Sequence, residues 1–375
     1  LALARGEDLQ LVFSNTTEAG IEFLSDDVPG EGALAQTFPG KFTQFLYHRY
    51  LHFDGSADAG LGIIPCELID RNGEKLSEAI MQYVALWNLP DSFGAWIGNS
   101  NYFANTLVDR IVTGYPQDEI DQIQQQLGFE DQLLVTSEVF HLWVIEGPQQ
   151  LQQMFPAHLH GLNVKYVPDQ TPYRTRKVRI LNGAHTSMVA VGMLANIATV
   201  REATEDRLIG TFINDLIFEE VIPTIDLPEE ELIQFALEVM ERFKNPFIRH
   251  ELSAIALNSI SKFKVRVLPS ILDFIDMYQM APKRLCLAFA ALIKLYLDGA
   301  QGKYPINDNP EIIAWFSKYH SEIPSSDLIP EVCANSEFWG QSLAQNQILL
   351  NQVVESYGIL QQSSIRIGIQ NILSE

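Results

Sequence analysis

Apolar residues along the 375-residue chain change their spacing near its middle. In the first part they fall in short, nearly unbroken runs. Leu9-Gln-Leu-Val-Phe-Ser-Asn15 stops in polar residues, as a strand buried in a parallel sheet does, and Leu61-Gly-Ile-Ile-Pro-Cys66 reads as a second such strand. Between them Phe42, Phe45, Leu46, Tyr50 and Leu51 recur at helical spacing, which predicts a helix over 41–53, and Ser77 to Trp87 predicts the next. Leu107 to Val112 and Phe140 to Ile145 read as further strands. This alternation predicts an α/β layer with a parallel sheet. From about residue 172 helical periodicity takes over, with predicted helices at 177–197, 203–221, 229–243, 247–262, 269–277, 282–297, 309–319 and 340–373. Pro223, Pro228, Pro246, Pro269, Pro282 and Pro305 punctuate them, as proline does at helix boundaries. The change of character near Val167-Pro168 divides the chain into an α/β part, 1–168, and an all-α part, 169–375.

Composition narrows the partners. Hydrophobic content of 47% and charged content of 19% describe an ordinary folded protein. A net charge of −22 argues against nucleic acid and against anionic membrane surfaces, because both need a basic face. No run approaches the roughly 18 apolar residues of a membrane helix, and the first residues do not form a signal peptide. Three widely spaced cysteines, Cys66, Cys286 and Cys333, read as reduced thiols in a cytoplasmic protein.

The candidate chemistry sits in Arg174-Thr-Arg-Lys177-Val-Arg-Ile-Leu-Asn182-Gly-Ala-His185. At about 100° per residue, an α-helix puts Lys177, His185 and Asn182 on one side. A lysine can move a proton, while an amide and an imidazole can hold an oxygen that gains negative charge. The set suits interconversion of an alcohol and a ketone. Arg174, Arg176 and Arg179 crowd Lys177, which disfavours its protonated form and would draw in an anionic ligand. The competing reading is a basic helix flank paired with local acids. At predicted strand ends, where open α/β sheets bind ligands, stand Asn15-Thr16-Thr17-Glu18, Cys66-Glu67 through Asn72-Gly73, and Asp109-Arg110. Each of these also suits an ordinary turn or cap. Neither His48 with His52 nor His158 with His160 has the further ligands zinc needs, so no metal is expected. The one glycine pattern of dinucleotide type, Gly30-Glu-Gly32-Ala-Leu-Ala35, follows a loop and reads as a decoy.

With these residues assembled, the chain resembles the long-chain polyol dehydrogenase family, which includes mannitol dehydrogenases and hexuronate reductases. Lys177, Asn182 and His185 match its lysine–four–asparagine–two–histidine signature. Thr106-Leu-Val-Asp109-Arg110-Ile and Trp143-Val-Ile-Glu146 match two more of its segments. Asn15-Thr-Thr-Glu-Ala-Gly-Ile21, Pro65-Cys-Glu-Leu-Ile-Asp70, Asn245-Pro-Phe-Ile-Arg249-His250 and Asn258-Ser-Ile-Ser-Lys262 are similar to its hexuronate-reducing members. The resemblance implies a Rossmann-like nucleotide-binding part over 1–168, a helical substrate part over 169–375, and NAD as hydride carrier. It implies Lys177 as general acid and base, Asn182 at the oxyanion and His185 on a neighbouring hydroxyl. It places Asp109, Arg249, His250 and Lys262 at a hexuronate or polyol, with Arg249 and Lys262 as candidates for its carboxylate. Asn15, Thr16, Glu18 and Asn72 are placed at the cofactor. Two departures matter. The family's glycine-rich nucleotide turn is absent, so the chain is expected to be part of a longer one, with a catalytically silent remnant as an alternative. Leu68 also stands where many members carry an oxyanion-binding asparagine. A mannitol or fructuronate-type dehydrogenase is the nearest alternative substrate reading.

Overall fold

The computed structural model describes residues 2–16, 19–30, 32–319 and 324–374. Glu18, one of the expected cofactor residues, lies outside the described residues. The strands are β1 (Leu11–Ser14), β2 (Gly62–Pro65), β3 (Tyr102–Phe103), β4 (Asn105–Asp109), β5 (Val112–Gly114), β6 (Thr136–Ser137), β7 (Leu142–Glu146) and β8 (Val164–Val167). The chain forms two compact units, Leu1–Ile111 with Val139–Arg174, and Val112–Glu138 with Thr175–Glu375.

The first unit is the α/β layer. β1, β2 and β3 form a parallel sheet in that order, with Val12 opposite Ile63 and Phe13 opposite Ile64. After Ala104, whose N–H still donates to Ile63 O at 2.9 Å, the chain runs directly into β4. β4 pairs with β7 antiparallel and β7 with β8 parallel, so this second sheet is mixed. β2 is buried along its whole length, which explains its unbroken apolar sequence. The helix Phe38–His52 starts where the Thr37 hydroxyl accepts the Gly40 N–H at 3.0 Å. The helix Asn72–Leu86 turns Leu76, Ala79, Ile80, Tyr83 and Val84 inward. Its start lies against the sheet: a Cβ on Gly73 would come within 2.2 Å of the Ala104 carbonyl oxygen, so only glycine fits there.

The second unit is helical, apart from the β5–β6 pair. Its core is one continuous cluster around the helix Lys283–Ala300, which buries Leu285 through Asp298 except Lys294. Several predicted helices are divided. Asn258, at φ 54°, separates Leu252–Ile255 from Ser259–Arg266, and extended Ser363 separates Gln347–Gln362 from Ile365–Leu373. Among the described residues of this unit, the helices Ile120–Leu127, Ser325–Ala334 and Ser336–Trp339 are not among those the sequence predicts. Among the described residues, no helix is long and apolar enough to cross a membrane.

Candidate active site

The segment holding Lys177, Asn182 and His185 is not a uniform α-helix. After the helix Thr171–Arg176, residues Lys177–Asn182 make a π-helical turn, and Gly183–Leu194 continues as α-helix. The Gly183 N–H donates to Val178 O, five residues back. A π turn sets residue i+5 nearly above residue i, so Asn182 lies closer to the face of Lys177 than α-helical spacing predicts. Gly183 also allows close packing, because a Cβ there would meet the Arg266 carbonyl oxygen at 3.0 Å.

Lys177, Asn182 and His185 are 8%, 7% and 6% exposed. Asn182 Nδ2 and His185 Nε2 are buried and have no hydrogen-bond partner among the described residues. Buried polar atoms are nearly always paired, so two unpaired ones on the segment that carries Lys177 are open to an additional polar group. The His185 ring stacks on Phe243 at 4.3 Å with an interplanar angle of 22°, and meets the edge of His250 at 5.0 Å and 86°. Burial, reinforced by the charges of His250, Arg266, Arg242 and Lys177, holds the His185 imidazole well below its ordinary pKa. Burial also lowers His250. His185 is therefore a neutral imidazole at neutral pH, suited to hydrogen bonding rather than to carrying charge.

The arginines expected to act on Lys177 are matched elsewhere. Arg174 pairs with Asp70 at 3.0 Å. Arg176 lies over the Phe235 ring, with Glu231 at 3.9 Å. Arg179 donates to Ser270 Oγ at 2.6 Å, Thr224 Oγ1 at 2.9 Å and Asp273 at 2.8 Å. Each arginine of the basic run thus has a local partner, as the reading of a paired helix flank expects. Besides Lys177 and His250, the cations that bear on His185 include Arg242 and Arg266, far along the chain. Arg242 is buried in a two-pronged pair with Glu138 (2.7 and 3.1 Å). Neither residue was singled out in the sequence, because no local spacing links positions so distant.

Of the other expected substrate residues, His250 joins His185 directly. Lys262 donates its ammonium to Ile255 O at 3.0 Å, and it shares a helix face with Arg266. Arg249 is 73% exposed and paired with Glu251, and none of its described contacts reaches Lys177, Asn182 or His185. Asp109 is buried at the carboxyl end of β4 in the first unit.

At the strand ends of the first unit, Glu67 is buried and accepts from Ser14 Oγ, Thr16 N and Thr16 Oγ1 at 2.9–3.0 Å. Asn72 is fully buried. Its Nδ2 donates to Pro65 O, Glu67 O and Thr106 O, and its Oδ1 accepts from Gly73 N and Thr106 N. Asn72 therefore ties β2 to β4, and its side chain has no capacity left to bind a cofactor. A dinucleotide needs the open carboxyl ends of parallel strands and a glycine-rich turn for its pyrophosphate. The first is present, with Asn15 and Thr16 exposed just past β1, beside the end of β2. The second is not found among the described residues, and no strand precedes Gly30 within 19–30. These residues fit one end of such a cofactor. Burial and the Glu67 charge push the Cys66 thiol up to about 12, which removes it as a nucleophile. Among the described residues, no group of three or more His, Cys, Asp or Glu is arranged to hold a metal ion.

Residues 2–156 match the family model for the mannitol dehydrogenase Rossmann domain, and residues 169–361 match the model for the mannitol dehydrogenase C-terminal domain. The chain belongs to the mannitol dehydrogenase family of oxidoreductases. It is 43% identical over 378 residues to the altronate oxidoreductase of Yersinia pestis, covering 98% of this chain and 77% of that protein. It is 42% identical over 384 residues to the altronate oxidoreductase of Pectobacterium carotovorum subsp. carotovorum, covering 99% and 78%. The fold is similar to that of Pseudomonas fluorescens mannitol 2-dehydrogenase in ternary complex with NAD and D-mannitol. The TM-score is 0.75 at 21% identity, over 100% of this chain and 76% of that one.

Proposed function

We propose that the chain carries the catalytic and substrate-binding residues of an NAD-dependent dehydrogenase that interconverts D-tagaturonate and D-altronate. The observation that carries this reading is the pair of buried, unpartnered groups, Asn182 Nδ2 on the turn that begins with Lys177 and His185 Nε2 on the helix that follows it. The similarity to altronate oxidoreductases supports the substrate. Bound nicotinamide would supply hydride to the ketone carbon in reduction and take it back in oxidation, with Asn15 and Thr16 at its side of the sheet. As the carbonyl becomes an alkoxide, Lys177 Nζ gives its proton to that oxygen, and in oxidation it takes the alcohol proton. Asn182 Nδ2 donates to the same oxygen and gains strength as charge builds there. His185, neutral because it is buried, orients an adjacent hydroxyl through Nε2. Arg266, with Lys262 one turn earlier on the same helix, is the proposed counter-charge for the uronate carboxylate.

NADH oxidation by the purified chain should be fastest with tagaturonate, compared with fructuronate and fructose. Lys177→Ala should lose turnover by several orders of magnitude, with NADH binding unchanged by fluorescence titration. Equal rates on fructose would move the substrate to the polyols. Wild-type turnover in Lys177→Ala would remove the lysine from the mechanism.

A further inference from the structure

We propose that Glu138 is a positioning residue for the reaction centre, holding Arg242 and, through the adjoining Phe243, setting the ring of His185. The proposal rests on reading Lys177, Asn182 and His185 as that centre. The Glu138 and Arg242 side chains are 2% and 8% exposed. Glu138 Oε1 accepts from Arg242 Nη2 at 2.7 Å, and Oε2 accepts from Arg242 Nε at 3.1 Å. Two parallel bonds from a guanidinium to a carboxylate fix both the distance and the plane of the pair. Away from water, neither charge tolerates losing the other, so the geometry is strongly enforced.

Arg242 and Phe243 are the last two residues of the helix Glu229–Phe243. The Phe243 ring is buried and lies flat on His185, while His250 closes on the imidazole edge-on. With its face covered and its edge abutted, the imidazole can turn only if Phe243 moves. The ion pair holds the backbone one residue before Phe243. Arg242 is also among the cations that bear on His185, and Glu138 supplies the balancing charge. Glu138 closes the Val112–Glu138 segment, which lies in sequence between two strands of the first unit yet packs with the helical unit. The pair gives that segment a task at the reaction centre.

The deciding experiment compares wild type, Glu138→Gln, Arg242→Lys and Lys177→Ala in the full chain. The readouts are thermal unfolding, kcat, KM for the ketone, and the side-chain nitrogen resonances of His185. Because a misplacement of about 1 Å can cost on the order of 100-fold in rate, Glu138→Gln should remain folded and lower kcat at least ~10-fold. Its KM should stay within about threefold of wild type, and the His185 resonances should shift. A folded Glu138→Gln with wild-type kcat, or with a reduced kcat and unmoved His185 resonances, would overturn the proposal. So would a change confined to KM. If Glu138→Gln does not fold, Arg242→Lys decides by the same criteria, since it keeps the charge and loses the fork. If Lys177→Ala retains turnover, the reading of the centre fails, and the His185 resonances alone judge the link to Glu138.

Discussion

A buried amide nitrogen without a partner costs a fold on the order of 1–3 kcal/mol, and Asn182 Nδ2 is in that position. Alanine is also a better helix former than asparagine. Asn182→Ala should therefore leave the melting temperature unchanged or raised. As the loss of an oxyanion donor, the same change should lower kcat by about 10²–10³. Thermal unfolding and steady-state kinetics on one preparation check both halves. A variant that is both less stable and fully active would reverse the assignment. Asn72 behaves oppositely, although it too stands at a strand end and looked like a ligand group in the sequence. All its donors and acceptors are occupied within the fold, so its removal should cost stability first.

Gly73 shows how one residue can decide whether a helix and a strand may meet. An added methyl would contact the Ala104 carbonyl, which is backbone and cannot swing aside. Gly73→Ala should destabilise the first unit by about 1–3 kcal/mol, read as a lowered denaturant midpoint with little change in slope. The elements most legible in the sequence were those whose residues declare them locally. β1 and β2 followed from their apolar runs, and the helix Glu229–Phe243 followed from its period and the proline before it. The π turn at Lys177–Asn182 was not legible, because a single turn is too short to leave a period of its own in the sequence. Nor was the division at Asn258, where a left-handed residue interrupts a pattern that otherwise continues. At the candidate site, spacing puts Lys177, Asn182 and His185 on one helix face, while their proposed roles come from resemblance to the family. The Glu138–Arg242 pair could not be read from the sequence, since 104 residues separate its members and only the tertiary fold brings them together.

For the molecule as a whole, charge sets the pH dependence of stability. The chain carries 47 acidic against 25 basic residues, so self-repulsion grows as its carboxyls ionise. Glu220 adds a specific contribution. Burial pushes its carboxyl up to about 7, outweighing the N–H groups of Arg284 and Leu285 (2.9 and 2.8 Å) and the Arg284 guanidinium. An acid whose folded pKa lies above its unfolded value stabilises fully below the unfolded value, near 4.5. That contribution is lost as pH rises through about 7. The swing amounts to roughly 3 kcal/mol at most. Glu220→Gln should thus show a smaller fall in melting temperature than wild type between about pH 5 and 8. Parallel curves for the two proteins would contradict a raised Glu220.

The path of the chain between its two units carries a consequence for inheritance. It passes from one to the other after Ile111, returns at Val139, and passes again at Thr175. A gene break or fusion near residue 175 would look, on paper, like a clean exchange of modules. A helical module transferred that way would leave Glu138 behind and keep Arg242 buried without that carboxylate. Recombination can shuffle such a protein only if the short Val112–Glu138 passage travels with the helical part, so its two halves are one hereditary unit.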